Sequence, residues 1–341
     1  MQCISLFNIC KMKKIFLFLP VLLFIISCSD DEPICNNSDC IIEITCPREA
    51  YIPVEDSISS SWGTQYNNVD GTQQAFSTNP NNSNELVYIN TKIVDFLATY
   101  QLFIYNKGTK QKQLIYESPG LYGLNAPLWS RDNWIYFNSN SHIFKIKSDG
   151  SDLTQVTFGS YINRLRAITL DGEELIYYDD SSFSLVKIDL ETNENKVFPI
   201  NTEAAFDVTI SPDNNQMIFL QGKATGGSDI IKYNFTTEEK EIIFEINDAS
   251  KFGVCWSKDG EYIYWSDISG LYRLNVSNNY AEKITKHFGS GLRYEYPHFD
   301  NNGTLYLRKE TAWKSGGNEI SLKGEIIEYD LNTCTEIDIF E

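Results

Sequence analysis

The amino-acid sequence predicts an all-β fold, a six-bladed β-propeller in which every blade is a four-stranded antiparallel sheet. Two observations lead to this prediction. The chain of 341 residues contains 20 Tyr, 20 Phe and 6 Trp, and such an abundance of aromatic residues is typical of sheet proteins. In addition, one unit occurs six times at intervals of 39 to 53 residues, mostly close to the period of propeller blades.

The repeated unit is an apolar residue, then Ser or Thr, any residue and Asp, followed by turn residues and an apolar strand. Its six copies are anchored at Ser77, Ser130, Thr169, Ser211, Ser257 and Asp300, and the copy at Ser77 is the weakest. We expect the Asp of each unit to bond to backbone N–H groups two residues later and so to hold the turn between the first two strands. These residues are therefore interpreted as framework.

Three further residues of the repeats are also expected to belong to the framework. Trp129 and Trp256 each precede an anchor, where a large ring can fill the space between neighbouring blades. Cys255 lies in an apolar strand, which favours a buried free thiol.

Several motifs resemble the repeats of TolB-like propellers, which share their architecture with WD-repeat proteins. They are residues 211–213 (SPD), 256–260 (WSKDG) and 149–152 (DGSD), the last followed by a strand over residues 153–157. The resemblance extends over residues 70–341 and implies the propeller fold. For function it implies a partner-binding scaffold, although propellers of this type also occur as the non-catalytic half of peptidases and as lyases.

The first 27 residues are predicted to be a lipoprotein signal peptide. Three lysines precede an apolar run over residues 15–26. This run is too short to span a bilayer, which takes about 20 residues. It ends at residues 25–28 (IISC), which resemble a lipobox, and Cys28 is the predicted lipid attachment site. We expect a lipid-anchored tether with a Cys-rich segment over residues 28–66 and the propeller over residues 67–341.

The charge of the chain bears on location and partners. Residues 29–32 (SDDE) resemble the signal that carries some lipoproteins to the outer face of the outer membrane, and a solvated acidic tether explains them equally well. The expected location is the outer membrane, and the sequence is compatible with either its periplasmic or its outer face. Removal of residues 1–27, which contain three lysines and no acidic residue, changes the formal net charge from -18 to -21. This charge argues against nucleic acid as a partner, because phosphates would meet like charge.

Four cysteines are disulfide candidates, since disulfides persist in exported proteins. They are Cys35, Cys40, Cys46 and Cys334, which allow three pairings. We expect either Cys40 or Cys46 to pair with Cys334 and so to fasten the tether to the closing blade. The last repeat contains a complete set of strands ending at residues 335–340, and residues 41–45 read as a short additional strand.

The sequence contains no recognisable catalytic motif, such as a G-x-S-x-G elbow, an H-E-x-x-H helix or a phosphate-binding loop. Its three histidines occupy different positions of the repeat, so we predict no catalytic residues, no metal and no cofactor. The favoured function is a non-enzymatic, lipid-anchored binding protein with a protein or carbohydrate partner. The alternatives are a polysaccharide lyase or hydrolase acting at the mouth of the propeller channel, and an envelope scaffold without a small ligand.

Candidate binding residues come from the loops that join the fourth strand of one blade to the first of the next, and from those that join second and third strands. Both kinds emerge on one face around the channel. The second kind includes long insertions at residues 91–100, 222–229 and 311–324. The candidates are Tyr161, Arg164, Arg166, Lys251, Arg293, Tyr294, Tyr296 and Trp313. Arginine beside aromatic residues suits carboxylates and sugar rings, and ordinary loop residues with solvated ends are the alternative interpretation.

Overall fold

A computed structural model describes residues 42–43, 66–95, 97–118, 123–159, 162–199, 205–224, 226–246, 251–267, 270–286, 292–316 and 319–341. These residues form 26 strands and no helix. Within the same ranges, no helix is long and apolar enough to cross a membrane. The strands form six antiparallel blades of four, which confirms the predicted all-β six-bladed propeller.

Two short strands precede the blades, β1 (Ile42–Glu43) and β2 (Tyr66–Asn68). Blade 1 contains β3 (Gln73–Asn79), β4 (Asn82–Val94), β5 (Leu97–Asn106) and β6 (Gln111–Glu117). Blade 2 contains β7 (Leu124–Trp129), β8 (Trp134–Ser139), β9 (His142–Lys147) and β10 (Thr154–Gln155). Blade 3 contains β11 (Asn163–Ile168), β12 (Glu174–Asp179), β13 (Ser184–Asp189) and β14 (Asn195–Val197).

The remaining strands form the second half of the ring. Blade 4 contains β15 (Ala205–Ile210), β16 (Gln216–Gly222), β17 (Ser228–Asn234) and β18 (Lys240–Ile246). Blade 5 contains β19 (Lys251–Trp256), β20 (Tyr262–Asp267), β21 (Gly270–Asn275) and β22 (Tyr280–Lys286). Blade 6 contains β23 (Leu292–Phe299), β24 (Leu305–Gly316), β25 (Glu319–Asp330) and β26 (Thr335–Asp338).

The ring closes without borrowing a blade strand from the N-terminal segment, because blade 6 owns all four of its strands, as predicted. The N-terminal strands instead add to existing sheets. β1 pairs in parallel with β22, the outermost strand of blade 5, and β2 pairs in parallel with β25 of blade 6. The expected short strand within residues 41–45 is thus confirmed by β1.

Two of the three expected insertions are regular hairpins rather than loops. Residues 91–100 continue β4 and β5 as an antiparallel ladder, and most of residues 311–324 continue β24 and β25 in the same way. Blades 1 and 6, which adjoin at the ring closure, therefore carry longer central hairpins than the other blades. In the third insertion, β16 ends at Gly222 and β17 begins at Ser228, and the Lys223 N–H donates to the Gly227 carbonyl at 3.2 Å between them.

The hydrophobic core consists of six clusters, each filled from two neighbouring blades. Trp129 packs with residues of blades 1 and 2, and Trp256 packs with residues of blades 4 and 5. Both rings are at most 7% exposed, which confirms that they fill the space between blades. Cys255 is a buried free cysteine in the cluster between blades 5 and 6, as predicted.

The anchors build the turns between first and second strands. In blade 4, the Ser211 hydroxyl donates to Asp213 at 2.6 Å and accepts the Gln216 N–H at 2.9 Å. The Asp213 carboxylate accepts the N–H of Asn215, two residues on, at 3.1 Å. The hydrogen bond from Ser211 is the main reason that the pKa of Asp213 is lowered. The predicted framework role of the Asp is thereby confirmed.

Candidate functional site

Every first strand changes register in its middle, and these bulges shape the inside of the ring. In four blades, a residue at the bulge adopts a left-handed backbone: Ala126, Asp207, Gly253 and Tyr296, with φ values of 49°, 51°, 99° and 52°. Each stands four residues before the anchor of its blade. Such a conformation is uncommon in residues other than glycine and often accompanies functional sites.

A cavity of ≈ 690 Å³ lies inside the ring and is lined from five of the six blades. Gln74, Asn125, Arg166, Asp207 and Tyr296 contribute to its wall from blades 1, 2, 3, 4 and 6. Its volume is in the range of small-molecule sites. The wall combines amide, charged and aromatic groups, a mixture suited to polar ligands.

The cavity lies at the face of the ring to which the predicted binding loops belong. Gly123 and Ile162, which precede the first strands of blades 2 and 3, line it, as do Asn140 and Ser141 of the turn between β8 and β9. We call this face the channel mouth. At the opposite face, turns of neighbouring blades are hydrogen-bonded, as in the 3.1 Å bond from the Leu170 N–H to the Asn214 side chain.

Two candidate arginines of β11 enter the cavity wall with different surroundings. Arg164 forms an ion pair with Asp180 at 3.0 Å and remains half-exposed. The Nε atom of Arg166 is buried and has no hydrogen-bond partner within the described residues. Burial lowers the pKa of Arg166, an effect opposed by the nearby Asp207 carboxylate. A buried donor without a partner is uncommon in folded proteins and calls for an explanation.

Asp207 faces Arg166 from the neighbouring blade. Burial raises the pKa of its carboxyl, while Arg166 and a hydrogen bond from the Gly253 N–H lower it. Gly253 contributes no side chain to the ring interior, and a Cβ there would lie 2.8 Å from the Cα of Tyr296. The backbones of blades 5 and 6 therefore approach each other closely beside Asp207.

Tyr296 is the aromatic residue that opens into the cavity. Its side chain is 41% exposed, yet the surrounding protein raises the pKa of its hydroxyl, first by burial and then through Glu295 and Asp207. The exposure shows that the ring is accessible from the cavity.

A buried ionic cluster supports the wall at blade 6. Arg308 donates through Nη1 to Glu310 at 2.9 Å and to Glu295, and through Nε to the carbonyl of Gln73 in blade 1 at 2.8 Å. Burial raises the pKa of Glu295 from 4.5 to about 7, with Arg308 acting in the opposite direction. Arg308 lines the cavity, but these partners occupy its guanidinium, so it serves mainly to join blades 6 and 1.

Asn138 positions the strand that carries the two arginines. Its side-chain oxygen accepts the N–H of Leu165 at 2.7 Å, and its amide donates to the carbonyl of Asn163 at 2.6 Å. These bonds tie the start of β11 to blade 2, in addition to its pairing with β12. The directions of Arg164 and Arg166 therefore depend on Asn138.

Two candidates from β23 lie away from the free space of the cavity. Tyr294 is fully buried, its hydroxyl donates to Glu336, and its ring packs between blades 5 and 6. Arg293 is largely buried and lies 3.4 Å from Glu310. Neither residue is among those that line the cavity, whereas Tyr296 of the same strand is.

Several predicted residues fall outside what the structure describes. Tyr161, Cys28, Cys35, Cys40 and Cys46 lie outside the described residues. The side chains of Lys251 and Trp313 are likewise not described, although their backbones pair in β19 and β24.

Cys334 and the histidines bear on two other predictions. Cys334, in the turn before β26, is disulfide-bonded, and its partner is not among the described residues. Within the described ranges, no group of three or more His, Cys, Asp or Glu side chains could hold a metal ion. His298 instead lies 2.9 Å from the Thr78 hydroxyl, and burial lowers its pKa to about 4.

Sequence reasoning did not single out Asp207, Asn138 or Arg308. An isolated Asp in an apolar strand carries little signal in a chain with 46 acidic residues. One available signal was positional, since Asp207 and Tyr296 both stand four residues before an anchor. Asn138 and Arg308 act through contacts between blades, and the repeat pattern does not indicate which residues make such contacts.

Comparisons with known proteins agree on the architecture. No family model and no curated protein matches the chain. Among solved structures, TolB from Acinetobacter baumannii matches with a TM-score of 0.56 and 16% identity over 74% of this chain. The match spans 63% of that TolB, so part of its length has no counterpart here.

Two other structures show the same similarity of fold. A putative TolB from Agrobacterium tumefaciens matches with a TM-score of 0.59 and 16% identity, over 72% of this chain and 89% of that one. A chain of a nidogen/laminin complex matches with a TM-score of 0.54 and 11% identity, over 79% and 92% of the two chains. Identities this low establish the fold alone. The chain has the fold of a TolB-like six-bladed β-propeller.

Proposed function

We propose that this protein is a lipid-anchored binding protein of the cell envelope that presents the channel mouth to a protein or glycan partner and catalyses no reaction. The observation that supports this most is the cavity itself, in which the buried Nε of Arg166 lacks a hydrogen-bond partner within the described residues. An arginine and an exposed aromatic residue in the wall of one cavity provide both charge and contact area for a ligand.

The fold is consistent with a scaffold of this kind. One structural neighbour comes from a complex of nidogen and laminin, and we propose a role in association of the same general type. Loops of a rigid ring can change without loss of stability, which suits them to recognition. The location and the anchor rest on Cys28 and the apolar run before it.

Binding is tested with the Arg166→Gln variant on glycan arrays and in quantitative pull-down from envelope extracts. Arg131→Gln is the matched control, because Arg131 is exposed in a turn at the opposite face. The proposal expects Arg166→Gln to lose most of the binding that wild type and Arg131→Gln share. Equal binding by all three proteins would contradict it.

Single variants are preferable to the combined removal of Arg164, Arg166 and Arg293. Arg164 holds Asp180 and Arg293 lies against Glu310, so their loss would disturb the wall itself. A loss of binding in a triple variant would then report on structure as well as on contact.

The anchor is tested separately by labelling cells with an alkyne analogue of palmitate. We expect Cys28→Ser to abolish the label and Cys35→Ser to retain it, because only the lipobox cysteine is acylated. Full labelling of Cys28→Ser would refute the anchor and leave the binding proposal untouched.

A further inference from the structure

Two side chains of opposite charge lie in different parts of the cavity wall. Arg166 and Asp207 line it from neighbouring blades and influence each other electrostatically. Among the described residues, however, neither forms an ion pair, whereas the adjacent Arg164 is paired with Asp180 at 3.0 Å. Arg166 and Asp207 are both partly buried, and ionised side chains that lack direct partners in such a setting destabilise a folded protein; a ligand that satisfies both would remove that penalty.

The two halves of the cavity suit different ends of a ligand. On the side of blade 3, the Arg166 guanidinium lines the cavity and suits a group that accepts hydrogen bonds, as a carboxylate does. On the other side, the Asp207 carboxylate accepts a hydrogen bond from the Gly253 N–H, and the exposed Tyr296 lines the same cavity. A carboxylate beside an aromatic ring is a suitable receptor for an ammonium group.

Ligands with a single charge fit this arrangement less well. A simple anion would meet Asp207 in addition to Arg166, and the Glu295–Arg308–Glu310 cluster adds no net positive charge behind it. A simple cation would meet Arg166 with Arg164 close behind. Opposed charges at one site discriminate against both classes, since each wrong ligand leaves a buried like-charge contact.

We propose that the cavity binds a small zwitterion of the α-amino-acid type, with its carboxylate at Arg166 and its ammonium group between Asp207 and Tyr296. This inference goes beyond the proposed function, whose partner is a protein or a glycan, and concerns the same cavity. The amide side chains of Gln74 and Asn125 line the remaining wall, and Gln74 also donates to the Thr91 hydroxyl at 2.9 Å. The volume of ≈ 690 Å³ accommodates an amino acid with its side chain.

Calorimetry with the purified mature protein tests the inference. The probes are the free L-amino acids, followed by the N-acetyl form and the carboxamide of the best binder, which lack the ammonium and the carboxylate charge respectively. We expect the free amino acid to bind. Each blocked form should bind at least about tenfold more weakly, because it loses one charge-assisted contact.

Two variants that each remove one charge assign the ends of the ligand. Arg166→Gln should remove the preference for the free carboxylate over the carboxamide, and Asp207→Asn should remove the preference for the free over the acetylated amine. Arg131→Gln and Glu194→Gln, at exposed turn positions, should bind as wild type does. Thermal melting of each variant shows that it is folded.

Two results would overturn the inference: no heat from any L-amino acid at millimolar concentration, or binding that is indifferent to both blocking groups. Neither result affects the proposed function if Arg166→Gln still loses the partner in the pull-down. If that difference is absent too, both proposals fail.

Discussion

Glu295 shows how burial can set the charge state of one residue in a propeller wall. Its carboxylate contacts Arg308 and shares that guanidinium with Glu310, yet desolvation outweighs the attraction and raises its pKa from 4.5 to about 7. The folded protein therefore holds a proton that the unfolded chain releases between these pH values. Stability from this group is complete below pH 4.5 and is lost as the pH rises through about 7.

Replacement of Glu295 by Gln should remove this pH dependence, because Gln resembles the protonated acid. We expect the free energy of unfolding of Glu295→Gln to exceed that of wild type above pH 7, by on the order of 1 to 3 kcal/mol, with the difference vanishing near pH 4.5. Urea denaturation across this range measures it. The pKa of His298 is lowered to about 4, so its contribution to the free energy of unfolding is lost as the pH falls. This loss is the same in wild type and in Glu295→Gln. Parallel pH profiles would contradict the assignment.

Gly253 occupies a position where two constraints coincide. Its φ of 99° disfavours any side chain, and a Cβ there would lie 2.8 Å from the Cα of Tyr296. Gly159 has a φ of 122° but no atom within 4 Å of the corresponding Cβ, so it isolates the backbone strain.

We therefore expect Gly159→Ala to reduce the free energy of unfolding by about 1 kcal/mol, and Gly253→Ala by on the order of 2 to 4 kcal/mol. Gly253→Ala should also shift Tyr296 and weaken ligand binding. Chemical denaturation of both variants measures the two free energies of unfolding. Equal losses in Gly159→Ala and Gly253→Ala would show that the backbones of blades 5 and 6 are not in close contact at Gly253.

At the scale of elements, local chemistry explains what the sequence predicts well. The Ser–x–Asp turns are closed by bonds within five residues, as between Ser211 and Gln216, so their pattern is visible in the sequence. The hairpins of blades 1 and 6 were expected as loops because their extra residues exceed the repeat. They form strands because each arm continues to pair with the other, as from Thr91 to Tyr100.

The bulges of the first strands could not be predicted in the same way. They arise where six strands converge on one axis, and their left-handed residues, such as Asp207 and Tyr296, share no residue type. The direction of Arg166 likewise depends on Asn138 of another blade. Site geometry of this kind is decided by tertiary contacts that a repeat pattern does not encode.

The disulfide of Cys334 links an element of blade 6 to a cysteine beyond the described residues. We predict that peptide mapping without reduction finds Cys334 joined to Cys40 or Cys46, which flank β1 on the edge of blade 5. Cys334→Ser should then lower the free energy of unfolding by roughly 3 kcal/mol or more, because the bond closes a very long loop. A link to Cys35 would contradict this pairing.

For the whole molecule, the six interblade clusters explain why composition and period predicted the fold. Every blade contributes apolar residues to two clusters, so the same aromatic pattern must recur in each repeat. The residues at the channel mouth do not recur from repeat to repeat in this way. Arg166, Asp207 and Tyr296 come from three blades, and none of the three residue types occurs at the same repeat position of another blade, which makes them suitable for specific recognition.

The central claim is that a partner contacts the channel mouth and not the opposite face. Photo-cross-linking in living cells tests it with a benzophenone amino acid at Ile162 or at Leu170. These residues are 41% and 37% exposed and lie near opposite ends of β11, so they differ mainly in the face they occupy. We predict a discrete cross-linked partner from Ile162 that Arg166→Gln abolishes, and none from Leu170. A partner captured from Leu170 alone would contradict the account.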